Sequence, residues 1–143
     1  MNDEAAIREL IADRTTAMRK GDAETLCSTY APGAVVFNLA PPLVQPADSA
    51  RAVAKLQAWF DEKGGSVWAD VRDLQVTVSG DLALCTSLDS MGAPPESPQP
   101  FTLWYRSTLG LQRADGTWRI IHEHTSTPFY MDESMRAATD LEP

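Results

Sequence analysis

The chain has 143 residues, enough for one domain with its own hydrophobic core. Its composition, 43% hydrophobic and 22% charged, is typical of a globular protein and excludes an intrinsically disordered chain. The formal net charge of −8 argues against nucleic acid and anionic membranes as partners, because both require a basic binding face.

The first half of the chain has helical periodicity. Residues 3–20 are predicted to form an amphipathic helix, because Ile7, Ile11 and Met18 recur on one face. The elements predicted after it are a helix at 23–30, a strand at 34–38, an irregular proline-rich segment at 40–47 and a helix at 48–62.

The second half has the period of two that is typical of strands. Strands are predicted at 67–78 and 82–91, then a proline-rich loop at 93–100 and a final hairpin. Helices followed by a strand meander indicate an α+β protein with a curved sheet. We expect a single domain over residues 1–143, in which 129–143 form a C-terminal tail with a short helix at 132–138.

The N-terminus and the two cysteines indicate in which cellular compartment the protein is expected. The N-terminus lacks the basic start and apolar run of a signal peptide, and no segment approaches the roughly 20 apolar residues of a membrane span. Cys27 and Cys85 are not spaced as metal ligands. These features predict a cytoplasmic protein with two reduced, buried thiols and no bound metal.

The final hairpin carries ionisable groups on a sheet. Strict alternation after the turn at 114–116 places Trp118, Ile120, His122 and His124 on one face. A face that changes from apolar to polar is typical of a cavity wall, although a solvated face is the alternative. His122 and His124 are therefore candidates for proton transfer, since imidazole titrates near neutral pH.

The length of the turn decides what faces the histidines. A two-residue turn places His124 beside Ser107, whereas a three-residue loop places Arg106 opposite His124 and Thr108 opposite His122. We favour the three-residue loop because it collects apolar side chains on the other face of the sheet. These are Tyr105, Leu109, Leu111 and Ile121, which we expect to form an outer patch that is buried in a homodimer.

Three segments resemble the NTF2-like superfamily and, within it, the SnoaL-like and ketosteroid-isomerase-like proteins. They contain Gly21-Asp22 followed by Tyr30-Ala31-Pro32-Gly33, then Gly80-Asp81, and finally Asp115-Gly116 with Trp118 and His124. The resemblance implies a cone-shaped, cystatin-like fold in which a curved, antiparallel or mixed sheet wraps around three N-terminal helices. It also implies dimerisation through the sheet, but it leaves the reaction open, because one fold hosts many functions.

The resemblance lets the isomerase residues of the family be checked one by one. The position of its general base falls at Asn38, an amide, and the position of its helical tyrosine falls at Arg14. The position of its protonated aspartate falls near Thr108 or Arg106. We therefore expect the fold without steroid isomerisation.

Arg14 lies on the apolar stripe of the first helix, where a guanidinium needs a partner. It is expected to face an anionic ligand together with Arg106, or else to pair with an internal carboxylate such as Asp70 or Asp89, or to extend outward. Trp68 and Trp104 are candidates for an aromatic cavity wall, although tryptophan side chains are also common in cores.

Three functions remain open from the sequence. The first is binding, without a cofactor, of a small, mostly apolar, anionic molecule in a cavity that is lined by Arg14, Arg106 and His124. The second is a hydrolase or cyclase that uses His124 with Asp70 or Asp89. The resemblance supports this alternative, because the superfamily's epoxide hydrolases use two aspartates and an arginine, which Asp70, Asp89 and Arg106 could imitate. The third is a dimeric interaction module with a vestigial cavity.

Overall fold

The chain folds as a five-stranded mixed sheet with three helices. The computed structural model describes residues 2–46 and 48–143. The elements are α1 (Asp3–Lys20), α2 (Ala23–Ser28), β1 (Tyr30–Phe37), α3 (Val53–Glu62), β2 (Trp68–Ser79), β3 (Leu82–Ala93), β4 (Phe101–Ala114) and β5 (Thr117–Ser126). The strand order is β1-β5-β4-β3-β2, in which β1 runs parallel to β5 and the other neighbours are antiparallel. The α+β class is confirmed.

Several element bounds differ from those predicted. Helix α2 ends at Ser28, because the chain then enters β1, and α3 begins at Val53 after a 3₁₀ turn at Ser49–Arg51. The predicted helix at 132–138 is wrong: the tail makes turns and an antiparallel bridge between Phe129 and Ala137. The predicted irregular segment extends to residue 47, which lies outside the described residues.

Helix α1 packs its apolar stripe on the sheet. The side chain of Asn2 accepts a hydrogen bond from the backbone N–H of Ala5 at 2.7 Å and so begins the helix. Ile7 and Ile11 are buried in one core cluster with residues of β3, β4 and β5. We call the sheet face that these side chains cover the inner face and the opposite one the outer face. None of the described helices is long and apolar enough to cross a bilayer.

The final hairpin has a two-residue turn, so the predicted three-residue loop is wrong. Arg113 pairs with Trp118, and Ala114 pairs with Thr117. Both turn residues are left-handed, with φ of 53° at Asp115 and 75° at Gly116. This is the conformation of a type I′ turn, whose twist matches that of the flanking strands.

A β-bulge then changes which face the rest of β5 presents. Leu111 pairs with Ile120, but the next residue of β4, Gly110, pairs with His122. Ile121 is therefore an extra residue, and the alternation shifts by one position beyond it. The inner face continues from Ile120 to Glu123, whereas His122 lies on the outer face.

The apolar patch that the sequence predicts for the outer face lies on the inner one instead. Leu109 and Leu111 are only 7% and 1% exposed, and both belong to the core cluster with Ile7 and Ile11. Tyr105 follows the same alternation along β4 and also faces inward. Ile121 is the bulge residue. This set of residues therefore cannot form the interface of a homodimer.

The end of α1 provides a test of the packing between α1 and the chain that follows α3. Gly21 has φ of 66°, and a Cβ atom there would lie 2.0 Å from the carbonyl oxygen of Gly65. Gly21→Ala should lower the free energy of unfolding in urea by about 2 kcal/mol or more, from the left-handed backbone and the clash together. Gly80→Ala is the matched control, because Gly80 has φ of 59° and a methyl group added there would have no atom within 4 Å.

Gly80→Ala should cost about 1 kcal/mol, from the left-handed backbone alone. Equal costs for the two variants would mean that Gly21 and Gly65 are not in contact.

Candidate functional site

The inner face of the sheet becomes polar towards one end. Along β4 the inward side chains change from Leu111 and Leu109 to Ser107 and Tyr105. The same change occurs on the neighbouring strands, where Ser87 and Asp89 follow on β3 and Glu123 and Thr125 on β5. Five residues, which we call the inner polar cluster, hold the ionisable groups of this region. They are Arg14, Tyr30, Asp89, Tyr105 and Glu123.

Arg14 is paired inside the fold. Its guanidinium lies 3.3 Å from Glu123 Oε1 and donates to the Tyr30 hydroxyl at 3.3 Å. The Tyr30 hydroxyl in turn donates to Glu123 Oε2. Burial alone would lower the pKa of Arg14, but Tyr30 and Glu123 together raise it above its usual value. The predicted internal carboxylate therefore exists, but it is Glu123 and not Asp70 or Asp89.

Asp89 is the inward carboxylate that has no cationic partner at bonding distance among the described residues. Ser87 Oγ donates to its Oδ1 at 2.6 Å. Burial raises the pKa of Asp89 most, and the nearby Glu123 raises it further, against the hydrogen bond from Ser87. A carboxyl group in such surroundings keeps its proton to a higher pH than an exposed aspartate does, as proton-transfer groups of functional sites often do.

Two tyrosines supply neutral hydroxyl groups to the cluster. Burial raises the pKa of Tyr105 above its usual value, and the carboxylates of Asp89 and Glu123 raise it further. Burial likewise raises the pKa of Tyr30, although Arg14 opposes this shift. Tyr105 is the direct partner of Asp89 across β3 and β4, so the two side chains lie next to each other on the inner face.

The predicted enclosed cavity lined by Arg14, Arg106 and His124 is wrong. Arg106 and His124 are exposed on the outer face, where Ser126 and Thr108 are their respective partners. Glu123 lies between His122 and His124 and points inward to Arg14, so the two imidazoles must point outward. The bulge at Ile121 causes this inversion. The structure thus brings Arg106, Thr108, His122 and His124 together, but on the face away from Arg14.

The outer histidines contact β1. The Nδ1 atom of His122 lies 2.8 Å from the carbonyl oxygen of Val35. The ring of Phe37 meets His122 and His124 edge-on, with centroid distances of 5.0 and 5.4 Å. Within 2–46 and 48–143, no three His, Cys, Asp or Glu side chains are grouped as metal ligands.

The remaining candidates also lie outside the inner polar cluster. Trp104 is on the outer face, where the Arg72 guanidinium lies 5.2 Å from its ring centroid. Trp68 is 39% exposed and lines a surface cleft of about 480 Å³. The Asp70 side chain is 62% exposed and 3.7 Å from Arg19. Asn38 is exposed at the end of β1, and its Oδ1 accepts from the Leu39 N–H at 2.7 Å.

The sequence alone does not reveal Tyr30, Tyr105 or Glu123 as site residues. Alternation correctly predicts Glu123 and Tyr105 on the face opposite the histidines, but the prediction that this face is the outer one is wrong. One available signal is Gly110, because a glycine within a strand often marks a bulge. Gly110 pairs with His122 at the position where the register shifts.

Comparisons with known proteins show which family the chain resembles. A family model described as a SnoaL-like domain matches residues 7–130. An NTF2-like protein of unknown function from Pseudomonas putida KT2440 is 32% identical, with a TM-score of 0.84 over 100% of this chain and 99% of that one. A search of curated proteins found no match.

Two more distant structures show the fold alone. A putative dehydratase from the NTF2-like family of Streptomyces avermitilis is 22% identical, with a TM-score of 0.69 over 90% of this chain and 98% of that one. A putative calcium/calmodulin dependent protein kinase II association domain from Xanthomonas campestris is 16% identical, with a TM-score of 0.71 over 88% of each chain.

The raised pKa of Asp89 predicts how stability depends on pH. A group whose pKa is raised by folding stabilises the fold below its unfolded pKa, and this contribution is lost as pH rises through the folded value. Asp89→Asn cannot ionise at this position, so its free energy of unfolding should rise relative to wild type as pH increases above about 4, the ordinary pKa of an aspartate. Urea denaturation at several pH values measures this difference.

Asp70→Asn is the control, because the Asp70 side chain is 62% exposed. Its stability relative to wild type should stay nearly constant over the same range. Parallel curves for wild type and Asp89→Asn would contradict the burial of Asp89.

Proposed function

The chain belongs to the SnoaL-like domain family, and we propose that its inner polar cluster catalyses proton transfer on a small, mostly apolar, neutral molecule. The observation that carries this proposal is Asp89, an inward carboxylate whose pKa is raised by burial beside the Tyr105 hydroxyl. A general acid or base works best when its pKa lies near the working pH. Buried carboxyl groups with raised pKa are frequent at functional sites.

The charges of the cluster favour a neutral ligand over the anion expected from the sequence. That expectation required Arg14 and Arg106 to face one cavity, and they lie on opposite faces of the sheet. Arg14 is already paired with Glu123. An anionic ligand in the cluster would therefore meet the carboxyl groups of Asp89 and Glu123 without a free cation, which is electrostatically unfavourable.

Each group has a definite role in the proposal. Asp89 accepts a proton from one atom of the substrate and returns it to another. The Tyr105 hydroxyl donates a hydrogen bond to the substrate oxygen on which negative charge develops. The ion pair between Arg14 and Glu123 keeps these two side chains in fixed positions within the site. Dehydration, the reaction for which the Streptomyces relative is named, belongs to this class, because it also needs a proton removed and a hydroxyl group protonated.

Steroid isomerisation and His124 chemistry are not proposed. Asn38 stands where the isomerase base would be, and an amide does not accept a proton usefully. The inward residue between Arg106 and Thr108 is Ser107, which is not a carboxylic acid. A hydrolase or cyclase that uses His124 with Asp70 or Asp89 has no support. His124 is on the outer face of β5, whereas Asp89 faces inward and Asp70 is on β2, three strands away.

Exchange of carbon-bound hydrogen for deuterium tests the proposal directly. The wild type should accelerate deuterium uptake next to the carbonyl of cyclohexanone or a larger cyclic ketone in D₂O, followed by ¹H NMR. Asp89→Asn should lower the rate by about 100-fold, the contribution of a typical general base, and Tyr105→Phe should lower it as well. Asp70→Asn is the matched control and should exchange at the wild-type rate. An unchanged rate in Asp89→Asn would contradict the proposal.

A homodimer is the second candidate, and apolar groups on the outer face favour it. Leu82, Leu84 and Val35 are 52%, 51% and 45% exposed. Burying them against a second copy would remove apolar surface from water. Light scattering at micromolar concentration should give the mass of two chains, and Leu84→Lys should lower it towards one. Leu43→Lys, at a 98% exposed position outside the strands, should have no effect. A wild-type mass of one chain would exclude the dimer.

A further inference from the structure

A surface cleft lies where β1 and β5 end. Its volume is about 680 Å³, within the range of small-molecule sites. Residues 37–44 form one wall and residues 124–127 the other, and we call this space the rim cleft. The first wall is mostly apolar and includes Phe37, Pro41 and Pro42. Leu43 and Val44 at its edge are 98% and 50% exposed, so an apolar ligand would bury apolar surface that is exposed to solvent.

The second wall of the rim cleft adjoins a cationic and hydroxyl-rich part of the outer face. Ser126 lines the cleft, and its direct partner on β4 is Arg106. His124 lines it as well, and its direct partner is Thr108. Direct partners in a sheet bring their side chains within about 5 Å of each other. The guanidinium of Arg106 and the hydroxyl group of Thr108 therefore lie next to the lining side chains of Ser126 and His124.

The electrostatics of this corner differ from those of the whole chain. The chain has a formal charge of −8, yet the nearest carboxylate along β5, Glu123, points inward to Arg14. Arg106 makes no ion pair with any residue that the structure describes. An unpaired guanidinium beside hydroxyl groups suits a carboxylate, which it can bind through two parallel hydrogen bonds.

We propose that the rim cleft binds a small organic carboxylate. Arg106, Ser126 and His124 hold the carboxylate group, and its apolar body lies against Phe37 and the prolines of the opposite wall. The three side chains that hold the carboxylate lie on the outer face of the sheet, whereas Asp89 lies on the inner face. Occupancy of the rim cleft therefore does not depend on Asp89.

Benzoate is the probe, and benzamide is its uncharged counterpart of the same shape. ¹H–¹⁵N NMR titration should move amide signals of residues 37–44 and 124–127, with a Kd on the order of 1 mM for a ligand of this size. Benzamide should bind about tenfold more weakly, because it lacks the charge that pairs with Arg106.

Variants assign the binding to individual side chains. Arg106→Gln should raise the Kd for benzoate about tenfold, and His124→Gln should raise it by a smaller factor. Arg72→Gln removes another exposed cation of the outer face and should leave the Kd within about twofold of wild type. Asp89→Asn should also leave it unchanged, which separates this site from the one proposed for proton transfer.

Four results would overturn the proposal. They are the absence of saturable binding, equal affinity for benzamide, equal effects of Arg106→Gln and Arg72→Gln, and signal changes centred on Ser87 and Tyr105. Repeating the titration at two chain concentrations tests whether a second copy occupies the cleft. A Kd that rises with chain concentration would assign the cleft to self-association and would also overturn the proposal.

Discussion

Ile121 is the residue of β5 that has no partner on β4. Because of this extra residue, even-numbered side chains of β5 face the helices before Ile121 and odd-numbered ones face them after it. Before it, Trp118 and Ile120 are buried; after it, Glu123 and Thr125 face inward. Without the extra residue, the two histidines would face the helices and Glu123 would face solvent. The chemistry of both faces of the sheet therefore depends on this one bulge.

Because the bulge places Glu123 inside the fold, its carboxylate needs a cation and a hydrogen-bond donor beside it. A buried carboxylate is costly unless it is paired and hydrogen-bonded, and Arg14 and Tyr30 satisfy both conditions from α1 and β1. This pairing leaves Asp89 as the inward carboxyl group without a cationic partner at bonding distance among the described residues. The same bulge leaves Arg106 and His124 outside, where they border the rim cleft. One change of register thus separates the site that we propose for proton transfer from the cleft that we propose for organic carboxylates.

Much of the fold is predictable from the sequence because its signals are local. The stripe of Ile7 and Ile11, the glycine after α1 and the alternating strands follow from periodicity and turn chemistry. The site is less predictable, because it depends on pairing between distant strands. The two-residue turn at Asp115-Gly116 and the bulge opposite Gly110 together fix the register, and neither is predicted correctly from the sequence. Arg14 is correctly predicted as an inward cation, since it lies on the apolar stripe, but its partner depends on the bulge.

The orientation of Glu123 is tested most directly by a double-mutant cycle between Arg14 and Glu123. The free energy of unfolding is measured for wild type, Arg14→Met, Glu123→Gln and the double variant. If Glu123 is inside and paired with Arg14, the coupling energy should be about 1–3 kcal/mol, because each single change leaves the other group buried without its partner. A coupling energy near zero would mean that the two side chains do not meet, that β5 keeps its strict alternation, and that the histidines face the helices.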